Sequence, residues 1–149
     1  MSRNRGSIAV GVALGALAGA AGDYMNALRQ LREHRQATAD PAICEMVGYL
    51  CEHLSEEVTA YLSGLSETKT VRAWAEGDVS PAPEERFRLE VAYEAARCLV
   101  PGCGDDMTRS WFFGMNRSLR ETAPAYVLRN SSREDQELVL SAARQFAEI

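Results

Sequence analysis

Residues able to make or break covalent bonds are thinly scattered along this chain. His34 and His53 stand alone, with no metal-ligand spacing and no carboxylate–cysteine neighbour, and read as surface or capping histidines. Cys44 and Cys51 are seven apart, on one face of a helix, where cysteine behaves as a small hydrophobe. Cys98 and Cys103 flank Pro101 and Gly102 at an expected helix end. None of these spacings is that of a zinc site, so the four thiols are expected to be free in a reducing cytoplasm, rather than bridged or metal-bound. The sequence offers no nucleophile–base pair, no paired catalytic carboxylates and no phosphate-cradling loop. A protein that binds rather than catalyses is expected, with no metal and no cofactor.

Two groups of residues suit recognition instead. Thr68, Lys69, Thr70 and Arg72 fall on the outward side of an expected short helix, Glu67–Glu76, whose inward side carries Val71 and Trp74. Hydroxyls and cations so placed suit phosphates and base edges in a major groove. Glu67 and Glu76 on the same helix repel phosphate. The second group is Trp111-Phe112-Phe113, followed by Gly114, Asn116 and Arg117. One short helix cannot bury three consecutive aromatics, so an apolar patch open to a partner is expected there.

The elements that hold these groups read as helices throughout. Ala, Leu, Glu and Arg are plentiful and windows of β-branched residues few, which predicts an all-α protein. A chain of 149 residues, 46% hydrophobic, suits one compact domain or two small helical ones sharing a core. The net charge of −5 argues against a general nucleic-acid coat but leaves room for a dimer that reads one operator. The basic opening MSRNR leads into an apolar run from Ile8 to Gly22, in which Gly11, Gly15 and Gly19 recur every four residues. That run is short of the roughly twenty residues that span a bilayer. A packing or dimerisation helix is expected, with membrane attachment as the alternative.

Further helices follow in order. An amphipathic stretch sets Met25, Leu28 and Leu31 against Arg29, Arg32 and Arg35, and Asp40-Pro41 opens the next helix. Ser55 caps a short helix that Ser63-Gly64 breaks; Ser66 is expected to cap the next, and Gly77 to end it. A helix from Pro83 to Leu99 should stop at Pro101-Gly102, and Asp105-Asp106 should start another. Pro124 marks a further start, and Ser131 with Glu134 is expected to cap the last helix. The expected division is an N-terminal extension over 1–40, a helix-turn-helix domain over 41–100 and a C-terminal helical domain over 101–149.

Several stretches together carry a family resemblance. They are Glu56-Glu57-Val58, Val71-Arg72-Ala73-Trp74 with Gly77 and Pro81, and Leu89 to Leu99. The run Trp111 to Leu119, then Pro124, Val127-Leu128-Arg129 and the closing VLSAARQFAE, completes them. In these residues the chain resembles the Xre–MbcA–ParS antitoxins, particularly the MbcA-like branch, over roughly residues 55 to 149. The resemblance implies a cytoplasmic, homodimeric antitoxin whose C-terminal domain covers the active-site entrance of a RES-domain, NAD-degrading toxin. It places Trp111, Phe113, Asn116, Arg117, Pro124 and Leu128 in the toxin-binding block. It also implies autorepression of the operon through the helix-turn-helix, for which the outward Thr68, Lys69, Thr70 and Arg72 are the candidate DNA contacts. The chain departs from the family in its long N-terminal extension and in a helix–helix turn one or two residues longer than usual. The alternative is a stand-alone helix-turn-helix regulator, with no toxin partner, whose C-terminal half serves dimerisation.

Overall fold

Capping decides where most helices of this chain begin. In the computed structural model, which describes residues 21–31 and 40–149, Asp40 Oδ1 accepts the Ala42 amide at 3.0 Å and Pro41 fills the first turn of α2 (Pro41–His53). Ser55 Oγ accepts the Val58 amide at 3.2 Å and starts α3 (Glu56–Ser63). α4 (Lys69–Glu76) and the long α5 (Pro83–Phe113) follow. A single 3-10 turn (Arg117–Leu119), α6 (Pro124–Asn130) and α7 (Arg133–Ala147) complete the order. The described residues are all helix and loop, so the chain is all-α.

Contacts divide the chain between residues 38 and 39. On the N-terminal side, residues 21–31 form α1, on which Tyr24, Met25, Leu28 and Leu31 are exposed. The glycine stripe at 11, 15 and 19, and the Arg32 and Arg35 positions, lie outside the described residues. Among the described residues no helix is long and apolar enough to cross a membrane.

Residues 39–149 form one unit around one core. Alpha-helix α5 is its axis and packs on α2, α3, α6 and α7, while α4 lies mainly on α2. Leu50, Leu62, Trp74, Leu99, Phe112 and Leu128 are fully buried in that single cluster. The boundary expected between residues 100 and 101 falls inside α5, and both of its sides feed the same core.

Three local expectations shift. The stop expected at Pro101-Gly102 does not occur: proline gives up one amide donor, yet the helix runs on to a kink at Gly104 (φ 78°, ψ 175°). Only glycine takes such a φ at no steric cost; one turn beyond, in the resumed helix, the Thr108 hydroxyl donates to the Gly104 carbonyl at 2.7 Å. Helix α4 starts at Lys69 rather than after Ser66, because Leu65 to Thr68 are drawn out as a turn whose Leu65 carbonyl is held by Arg129 of α6. The cap of α7 is Ser132, one residue after Ser131, whose carbonyl is occupied by Gln136 Nε2.

Candidate functional site

At the end of α5 the three aromatics separate by direction. Trp111 and Phe112 are buried and meet edge to face, ring centroids 5.1 Å apart. Phe113 is 49% exposed, with its ring 5.8 Å from Tyr61 of α3, and Met115 beyond it is 81% exposed. The Trp111 indole N–H is buried without a hydrogen-bond partner.

Asn116 builds the loop that follows. Its Oδ1 accepts the Ser118 amide at 2.9 Å, its own amide donates to Thr122, and its carbonyl accepts from Leu119 and Glu121. The loop bends through left-handed backbone at Arg120 (φ 57°) and Glu121 (φ 60°). Leu119 points inward, the Ser118 hydroxyl donates to Gln145 of α7 at 3.1 Å, and Arg117 and Arg120 are exposed. Neither arginine is in an ion pair among the described residues. Pro124 and Leu128 of α6 are buried, whereas Tyr126 is exposed. Of the six residues expected in a partner surface, Phe113 and Arg117 face solvent, and Asn116 shapes the loop that carries Arg117. Trp111, Pro124 and Leu128 support that surface from the core.

The second expected group lies differently. Thr68 occupies the cap position of α4 without making a side-chain cap bond, Thr70 is half-buried and Lys69 is exposed. Arg72 is exposed but committed, its Nε donating to Glu56 Oε2 at 2.8 Å. That hydrogen bond, then the Glu56 charge, with smaller help from Glu57 and Glu76, holds the guanidinium above its ordinary value.

Two arginines close the far end of α3. Arg129 Nη1 donates to the Tyr61 and Leu65 carbonyls at 2.9 and 3.0 Å, with its guanidinium carbon 4.7 Å from the centre of the Tyr61 ring. Arg88 Nη1 donates to the Ser63 carbonyl at 3.0 Å. Helix ends leave carbonyls that need donors, but these donors come from α5 and α6, which no local spacing reveals.

His53 is not isolated. Its Nδ1 lies 2.7 Å from Asp105 Oδ1, just past the Gly104 kink, and its ring packs on Tyr49 at 4.3 Å. Tyr49 in turn meets Tyr93 edge to face, and Arg97 Nη1 donates to the Tyr93 hydroxyl at 3.4 Å. Burial pushes the Tyr49 phenol up, opposed by Arg97. The recoverable signal was Tyr49 four residues before His53; the carboxylate, 52 residues away, had none. The four cysteines are free and half-buried, and burial pushes the Cys51 thiol up. No group of three or more His, Cys, Asp or Glu residues able to hold a metal ion occurs among the described residues.

Comparison with protein-family models, with curated proteins and with solved structures returned no match for this chain.

Proposed function

We propose that the chain is an antitoxin that binds and blocks a RES-domain, NAD-degrading toxin through the surface at the end of α5. The observation that carries this reading is the display of Phe113 and Met115 in water, directly beside the buried Trp111–Phe112 pair. Large apolar side chains fixed on a packed base are the pattern of interface anchors, and leaving them solvated is unfavourable until a partner covers them. Arg117, beside them and free of ion pairs among the described residues, adds a group able to pair with a partner's carboxylate. Homodimerisation and a cytoplasmic location belong to the same proposal.

Autorepression through a helix-turn-helix formed by α3 and α4 is separable from toxin binding. The Arg72–Glu56 pair, with Glu57 and Glu76 near it, weighs against phosphate contact on that face. The test is co-expression with a RES-domain protein encoded beside this chain. The pair should co-purify, and Phe113→Ser should release the partner while the variant stays folded. A chain that purifies alone, whichever residue stands at 113, would refute the proposal.

A further inference from the structure

Tyr61 joins the Phe113 surface to a second feature. One neighbour of its ring is Phe113; Arg129 lies over that ring, and beside Arg129 a groove of about 300 Å³ opens under the α3–α4 turn. Ala60, Tyr61 and Leu65 give it apolar walls, and Glu57 and Glu67 stand on its rim. Both carboxylates are exposed, and neither is in an ion pair among the described residues. Arg129, which also lines the groove, keeps its charge while its Nη1 donates to the Tyr61 and Leu65 carbonyls, so the two carboxylates outweigh the one guanidinium.

We propose that this groove receives a lysine or arginine side chain from the partner protein. The aliphatic stem would lie along Tyr61 and Leu65 and the charged head between Glu57 and Glu67, the arrangement long cationic side chains adopt on mixed surfaces. The inference rests on the reading that Phe113 docks on a protein, and extends that interface across Tyr61 onto α3. Two unpaired carboxylates repel phosphate and attract ammonium or guanidinium groups, and of the four residues expected at DNA only Thr68 lines this groove.

The probe is a short peptide of alternating leucine and lysine, titrated into the isotopically labelled full chain and followed by NMR. Shifts should concentrate at Tyr61, Leu65, Ser66, Thr68 and Phe113, and the same peptide with glutamate in place of lysine should produce none. Glu57→Gln with Glu67→Gln should weaken binding at least about fivefold, the scale of two partly exposed charge contacts. Glu137→Gln with Glu148→Gln, an equal change of net charge elsewhere, should leave it unaltered. Unchanged thermal unfolding of both doubles keeps the comparison valid. Shifts centred elsewhere, binding of the glutamate peptide, or equal weakening by both doubles would overturn the groove assignment. If the groove fails while Phe113→Ser still releases the partner, only this inference falls and the docking reading stands.

Discussion

At Gly64 one added methyl group should do damage in two ways. Its φ of 88° is one that side-chain-bearing residues rarely adopt, and a Cβ built there would lie 2.5 Å from Arg88 Nη1. Gly64→Ala therefore strains the backbone and pushes Arg88 off the Ser63 carbonyl, a cost of about 2 kcal/mol by urea denaturation. Arg129→Lys should be a poor substitute for the native residue: an ammonium group cannot reproduce the planar stack on Tyr61, and about 1 kcal/mol should be lost in the same measurement. Thiol chemistry follows from burial. With the Cys51 thiol held above its ordinary value, little thiolate is present near pH 8, so iodoacetamide should label Cys51 in the folded chain more slowly than after urea unfolding. Equal labelling rates would contradict the burial. At this scale the sequence conveyed residue type and outward direction: Arg72 was expected to face solvent, and it does. Its Glu56 partner, and the Asp105 partner of His53, lie 16 and 52 residues away and depend on tertiary packing.

Helix boundaries set by local chemistry were legible at both ends: Gly64 and Gly77 close α3 and α4 as expected. Asp40, Ser55, Pro83 and Pro124 act within a turn of where they stand, so local chemistry identifies them. The start of α4 depends instead on Arg129 reaching across from α6, and the end of the first part of α5 depends on which glycine takes the kink. Pro101 looked decisive because proline usually terminates a helix, but one missing donor is tolerable in a helix packed on four others. Two glycines test where the break lies. Gly104→Ala should destabilise by about 1 kcal/mol, because its φ of 78° is unfavourable for alanine even though its Cβ would meet nothing within 4 Å. Gly102→Ala, inside the helix with equally open space, should stabilise by about 0.5 kcal/mol. Thermal unfolding of the two variants should move in opposite directions; a Gly102 variant that falls as far as the Gly104 one would place the kink elsewhere.

For the molecule as a whole, composition was enough to predict an all-helical chain, and the aromatic run was enough to predict an exposed apolar patch. Which aromatics form the patch could not be read locally. Trp111 and Phe112 are covered because α5 is packed along α6 and α7, whereas Phe113 emerges at its end. The family resemblance named six residues for partner contact, three of which are held in the core; Trp111→Ala would test folding before it tested recognition. A partner-facing role is therefore better probed at Phe113 and Met115. Inhibition of NAD hydrolysis by a purified RES-domain toxin is the most direct measurement. The wild-type chain should block hydrolysis at about one equivalent. Phe113→Ser with Met115→Ser should need about thirtyfold more protein, the effect of losing an interface anchor worth about 2 kcal/mol. Undiminished inhibition by that variant, or none by the wild type, would contradict the antitoxin reading.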